Sequence, residues 1–177
     1  MSHVFQGRSA AFTLIEILWA LAILGVVLNL SMGFSNIVER ERRYLVQLEL
    51  RRLVSYARAE AVSRGEAVTL CALDQGARCV REWSGRTVAV FADRNEDGRA
   101  DDGEILRLSG WEESRGTVQW RAALGRPQLE FSPFGGTRQN GSFYLCRRGR
   151  GNPAELVLTL NRGGRPYVAE TAGRRCL

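Results

Sequence analysis

Ala11-Phe12-Thr13-Leu14-Ile15-Glu16-Ile17-Leu18-Trp19-Ala20-Leu21-Ala22-Ile23-Leu24-Gly25-Val26-Val27-Leu28 opens an apolar run that continues to Phe34 and holds a single charged residue, Glu16. At about 1.5 Å of rise per residue, a helix of this length crosses a hydrocarbon core of about 30 Å. An ordinary secretory signal places its small-residue cleavage site after the apolar run. Here the small pair Ala10-Ala11 stands before it, so the helix is expected to survive processing.

Glu16 is the residue that needs an explanation. A carboxylate inside a membrane helix is expensive and marks a function, with a positive partner to be found. If the chain is cut between Ala11 and Phe12, the new α-amino group lies one helical turn from Glu16, and the amine of a neighbouring subunit supplies the missing charge. The alternative is a glutamate hydrated at headgroup level.

Outward from this segment the chain changes character. All four cysteines, Cys71, Cys79, Cys146 and Cys176, lie in the later, polar part of the 177 residues, a length that suits one folded head plus one extra element. The net charge is +6 and every one of the 25 basic residues is arginine. Such a surface favours association with nucleic acid or anionic lipid and says nothing about fold. An even number of cysteines in an exported body is expected to oxidise. Three connectivities are open. Cys71 with Cys79 and Cys146 with Cys176 is preferred, because the first closes a short loop and the second pins the carboxyl terminus to an internal strand.

Beyond Asn36 the pattern stays helical and becomes amphipathic, with Leu50, Leu53, Val54, Ala57 and Ala61 recurring every three or four residues. The helix is expected to stop near Ser63-Arg64-Gly65, where Gly65 suits a left-handed terminal conformation. From Phe12 to Arg64 it would be about 80 Å long. After it come short β-prone runs divided by Gly, Pro or Asn: 67–71, 86–91, 104–108, 117–120, 128–131, 142–146, 155–160 and 166–169. The expected fold is α+β, a long N-terminal α-helix with a membrane half and an amphipathic half, packed on a C-terminal antiparallel β-sandwich head.

Ala11-Phe12-Thr13-Leu14-Ile15-Glu16-Ile17 resembles the class III signal of type IV prepilins and type II secretion pseudopilins, in which a Gly-Phe-Thr-Leu-Ile-Glu stretch is cut before Phe and the new amine is N-methylated. Ala11 stands where the family has Gly, and the kinking proline of major pilins is absent from Ser31-Met32-Gly33-Phe34, leaving Gly33 as the weak point of the helix. The resemblance implies that prepilin peptidase cleaves between Ala11 and Phe12, that Phe12 is methylated, and that Glu16 sets register with a neighbour during assembly. A narrower likeness, to the FimT/FimU minor pilins and the H-type pseudopilins (GspH) of type II secretion, rests on four stretches. They are Tyr56-Ala57-Arg58-Ala59-Glu60-Ala61-Val62, Val90 to Gly98 followed by Glu104-Ile105-Leu106-Arg107, Phe131-Ser132-Pro133-Phe134-Gly135, and Gly164-Arg165.

These likenesses imply a leader (1–11), a transmembrane or filament-core helix (12–35), an amphipathic helix (36–64) and a β-rich periplasmic head (65–177). They imply a single-pass inner-membrane protein that moves into a pilus or pseudopilus. Its partners would be other pilins or pseudopilins, prepilin peptidase and the inner membrane. The leading expectation is a minor subunit of a type IV pilus, in the tip or priming complex. The alternatives are a DNA-binding minor pilin for natural transformation and a minor pseudopilin of type II secretion.

Two further chemistries are written in the head. Asp93, Asn95, Asp97, Asp101 and Glu104 follow the calcium-loop pattern D-x-N-x-D-G-x5-E with Gly98 at the turn. The flanks read as strands rather than helices, and Asp, Asn and Gly also crowd ordinary strand connections. Calcium is the one cofactor the sequence suggests. Separately, Arg147, Arg148, Arg150, Arg162, Arg165, Arg174 and Arg175 crowd the last third, and a Cys146–Cys176 bridge is expected to gather them at one end as a patch for DNA phosphates. FimT-type relatives carry a late Gly-Arg-x-Arg motif associated with DNA capture; here Gly164-Arg165-Pro166-Tyr167 keeps the first arginine and replaces the second with tyrosine. Enzymatic activity is not expected. The single histidine, His3, lies in the leader, which leaves the body without a Ser-His or Cys-His pair.

Overall fold

The structure, a computed structural model, describes residues 13–111, 117–146 and 152–176, and in the helix the side chains other than those of residues 29–37 and 39. The chain divides into two compact units, Met1–Glu41 and Arg42–Leu177. Helix α1 is Leu14–Arg64.

In the first unit α1 begins where the Thr13 carbonyl accepts the amides of Glu16 (3.0 Å) and Ile17 (3.3 Å). Leu14, Ile15, Ile17, Leu18, Trp19, Leu21, Ile23, Leu24, Val26, Val27 and Leu28 are all more than half exposed, so this stretch is apolar around its circumference.

In the second unit the helix has one apolar stripe. Val46, Leu50, Leu53, Val54, Ala57 and Ala61 are each at most 1% exposed, at the three- and four-residue spacing that stacks side chains on one face. Arg42, one turn before Val46 on the same face, continues the stripe with an ion pair to Glu155. The helix ends because Gly65 takes φ +67°, a left-handed conformation. Its amide closes the last turn on the Ala61 carbonyl at 3.1 Å.

Nine strands follow among the described residues: β1 Val68–Leu73, β2 Cys79–Val80, β3 Thr87–Phe91, β4 Ile105–Gly110, β5 Thr117–Ala122, β6 Leu129–Phe131, β7 Gly141–Cys146, β8 Ala154–Leu160 and β9 Pro166–Ala169. A five-stranded sheet runs β2-β1-β3-β4, with β6 also on β1, and a four-stranded sheet runs β5-β7-β8-β9. Every pairing is antiparallel. Pro166 opens β9 at an edge of its sheet, the place where a missing amide donor does least harm.

The α+β arrangement of a long helix with antiparallel sheets is as expected, and the helix stripe joins inner-face residues of both sheets in a single cluster. Leu50, Leu53 and Ala57 pack with Leu70, Val90 and Phe131 of one sheet and Trp120, Phe143 and Leu158 of the other. The helix is part of the core and not a support laid against a finished sandwich. Trp83, Trp120 and Phe143 form its aromatic centre, with ring centroids 4.9 and 4.7 Å from Phe143. Gly141 makes room for it, since a Cβ there would lie 2.3 Å from Cη2 of Trp120.

Each sheet also has its outer face covered. Cys71, Ala89, Phe91 and Ala100 form one satellite cluster, and Cys146, Ala154, Val157 and Cys176 form another. This double coverage is why β1 and β3 read as continuous apolar runs with little alternation.

Candidate functional site

Glu16 sits in the first turn of α1, in the midst of the exposed apolar side chains of that unit. Ala11 and Phe12, the expected cleavage and methylation positions, lie outside the described residues. Among the described residues no helix is long and apolar enough to cross a membrane; the expected span, 12–35, runs through positions whose side chains are not described.

The structure brings Cys71 to Cys79 and Cys146 to Cys176 as disulfides, with Cα separations of 5.5 and 5.9 Å. The first ties β1 to β2. The second ties the end of β7 to the carboxyl-terminal tail, which folds over Val157 and Ala154.

The loop from Asp93 to Glu104 closes on itself. Asp93 accepts the amides of Asp97 (3.1 Å) and Gly98 (3.0 Å), Asp97 accepts that of Arg99 (2.8 Å), and Glu104 accepts that of Arg94 (2.9 Å). The Asn95 side-chain amide donates to Asp101 at 3.3 Å. Burial pushes the Asp93 carboxyl above the usual carboxylate range; the Gly98 and Asp97 amides oppose the shift, and the nearby Glu104 and Asp97 charges add to it. Among the described residues no group of three or more His, Cys, Asp or Glu side chains is gathered to hold a metal ion. Most of the oxygens that the calcium pattern assigns to a cation are engaged by the loop's own amides, the ordinary chemistry of Asx turns. From within the loop, Arg94 hydrogen-bonds Glu66 at 2.9 and 3.0 Å and holds that carboxyl below its usual range.

Among the described residues, the arginines of the last third fall into two separate pairs. Arg147, Arg148 and Arg150 lie outside the described residues. Arg162 and Arg165 occupy the turn between β8 and β9, beyond Leu160, which pairs with Gly141 at the start of β7. Arg174 and Arg175 flank Cys176, bonded to Cys146 at the other end of β7. The six residues of β7 separate the two pairs by roughly 20 Å, at about 3.3 Å per residue. The disulfide forms, but an antiparallel hairpin sends the residues after β8 to the end opposite those before it. Arg174 is occupied as well, donating to the Tyr144 hydroxyl at 3.4 Å, while Arg121 stacks 4.2 Å over the Tyr144 ring.

What the sequence did not reveal is that two of its motifs form one structure. The Ser132–Gly136 turn and the Asn161–Gly164 turn lock together on the last turns of α1. The Arg58 Nε donates to the Gly135 carbonyl at 2.8 Å, the Thr137 amide donates to the Arg162 carbonyl at 2.9 Å, and Phe134 projects from the turn 94% exposed. The signal was present in the glycines of Phe134-Gly135-Gly136 and Gly163-Gly164, which announce close backbone approach without naming the partner.

The family model described as type II transport protein GspH matches residues 48–164. No curated protein sequence matches the chain. Two crystal forms of the Pseudomonas aeruginosa type IV minor pilin FimU have a similar fold. One matches with a TM-score of 0.58 at 22% identity, covering 78% of this chain and 98% of FimU. The other matches at 0.53 and 21%, covering 73% and 95%. At those identities the likeness concerns the fold. The family match spans more than half of the sequence and ends within the β8–β9 turn, so it takes in the helix stripe from Leu50 onward, every strand but β9 and both interlocked turns; the chain belongs to the GspH family of type II transport proteins.

Proposed function

We propose that this protein is a minor filament subunit: it is inserted in the inner membrane by its N-terminal helix, cleaved between Ala11 and Phe12, N-methylated on Phe12, and packed into a type IV pilus. The observation that carries this reading is the first turns of α1, where Leu14 to Leu28 expose apolar side chains on every side and Glu16 is the lone charge. A helix apolar all round needs lipid or other helices about it. A carboxylate in that setting needs a cation, and a neighbour's new amine lies within reach of it when helices pack in parallel one turn out of step. Other pilins are then its partners and the head stands in the periplasm before assembly.

A second system is favoured by the family match, which carries the name of type II transport. In that reading the same subunit enters a pseudopilus, and the chemistry of the helix is unchanged. The separation of Arg162 and Arg165 from Arg174 and Arg175 gives no support to a DNA-capture role.

Mass spectrometry of the native protein tests the reading. The expected product begins at Phe12 with a methylated amine. An uncut chain, or one trimmed after the apolar run, would sink it. Recovery of the subunit with sheared surface filaments, or with the secretion apparatus in the cell envelope, decides between pilus and pseudopilus.

A further inference from the structure

We infer that the Phe134 turn is a docking knob that inserts into the head of a neighbouring filament subunit, in an apolar recess edged by carboxylates. The inference rests on the filament reading and adds to it the surface and the chemistry of the contact.

A solitary exposed phenylalanine is common on proteins. Phe134 differs in how much backbone is committed to holding it. Its turn is closed twice, by the Ser132 amide on the Gly136 carbonyl and the Gly135 amide on the Ser132 carbonyl, both at 2.8 Å. Gly135 and Gly164 sit at φ +77° and +71°, where other residues are strained. Gly164 has no room for a side chain, since a Cβ there would lie 2.6 Å from the Gly135 carbonyl oxygen, and Gly135 is tightly flanked, a Cβ there lying 3.0 Å from Cγ2 of Val62. The ring is therefore presented on a fixed base, with little backbone freedom left to lose on binding. Rigid aromatic anchors of this kind dominate protein interfaces.

The surroundings specify the occupant. Beside the turn runs a groove of about 500 Å³ whose lining includes Ala59, Val62, Arg58, Arg165 and Pro166. Its floor is apolar. Arg165 lines the groove and Arg162 lies in the same turn, and neither guanidinium meets an acid among the described residues, which makes this side of the turn positive. Charge complementarity calls for a partner with an aromatic-sized apolar recess and carboxylates around it. Nucleic acid fits less well, since phosphate tracking uses a row of cations, and among the described residues Arg162 and Arg165 lie at the opposite end of the four-stranded sheet from Arg174 and Arg175.

The test uses the full chain in its own cells, with the photo-crosslinker p-benzoylphenylalanine in place of Phe134. The control position is Leu108, 53% exposed on β4, at the sheet edge opposite β6. Light is expected to join position 134 to the head of another filament subunit, at a peptide bearing Asp or Glu, and position 108 is expected to give no such adduct. In an Arg162→Glu, Arg165→Glu background the yield should fall on the order of tenfold at equal protein level. An adduct with nucleic acid, an adduct unaffected by charge reversal, or none beyond the control overturns the inference. Filament fractions from the same cells separate the two readings. A subunit present in filaments without a position-134 adduct defeats the knob alone, and a charge-sensitive adduct to a non-filament protein in cells whose filaments lack the subunit defeats the filament reading.

Discussion

Gly164 and Phe134 belong to interlocked turns and differ sharply in tolerance. The left-handed backbone at Gly164 and the 2.6 Å approach of the Gly135 carbonyl oxygen leave no place for a methyl group. Gly164→Ala is expected to lower the unfolding free energy by about 2–3 kcal/mol, and Gly135→Ala, whose new neighbours are side chains that shift more easily, by about 1–2 kcal/mol. Phe134→Ala, which removes an exposed ring, should change it by less than about 0.5 kcal/mol. Urea unfolding of the three variants measures the order, and a Phe134→Ala loss equal to that of Gly164→Ala would mean that the ring is packed and not presented. The Glu66–Arg94 pair gives a pH-dependent case. Glu66 is held below its usual range by the Arg94 hydrogen bond, so its contribution is present above the unfolded carboxyl range and is lost as pH falls through the depressed value. Arg94→Ala should lower the melting temperature slightly at neutral pH, and the difference should fade in acid and in high salt, because the pair is exposed. A difference that grows in acid would contradict the sign.

Among the elements, the two disulfides do unequal work because they close loops of unequal length. Cys146 and Cys176 are 30 residues apart and Cys71 and Cys79 are 8. Chain-entropy arguments give about 3.5 kcal/mol for the longer loop and about 2.5 kcal/mol for the shorter. Replacing Cys146 and Cys176 with serine should therefore be the more destabilising change, and it should also release the tail over Val157, seen as faster amide exchange in β8 and β9. Equal losses, or unchanged exchange, would argue against a strap role for the tail. These elements also show what a sequence displays and what it hides. The stripe from Leu50 to Ala61, the Gly65 stop and the strands expected at 86–91, 117–120, 142–146 and 155–160, each within two residues of its observed bounds, were legible, since apolar periodicity and glycine punctuation are local properties. The two-residue β2 was not expected, because Cys79-Val80 is too short to have a period and exists through its pairing with Ala72 and Leu73. The division of the arginines was misjudged for the same reason. Which end of a hairpin a residue reaches depends on strand order, and strand order is set by pairing between distant segments.

At the scale of the whole molecule, the candidate assembly site was legible as chemistry, because one carboxylate in an apolar helix is conspicuous in any context. The knob was not, because Phe134 and its glycines draw their meaning from Arg58 and Arg162, which only the folded head brings to them. Glu16 joins the two scales. An unpaired carboxylate in hydrocarbon costs on the order of a few kcal/mol. On the filament proposal, a helix in the membrane would lower that cost by keeping the group near the headgroups. Inside a filament, away from water, a neighbour's amine would meet it, the one-turn offset between amine and acid then fixing how far each subunit is displaced from the next. Glu16→Ala removes the cost and the register signal together. The variant should enter the membrane at least as readily as the parent and be cleaved before Phe12, since the residues at the cut are intact. It should be depleted from filaments on the order of tenfold or more, because parallel apolar helices without a charge pair slide at little cost. Quantifying the subunit in membrane and filament fractions, with its amino terminus read by mass spectrometry, checks each step. Filaments that take up the Glu16→Ala subunit at the parental level would show that register is set elsewhere, and the interlocked turns of the head would then be the next place to look.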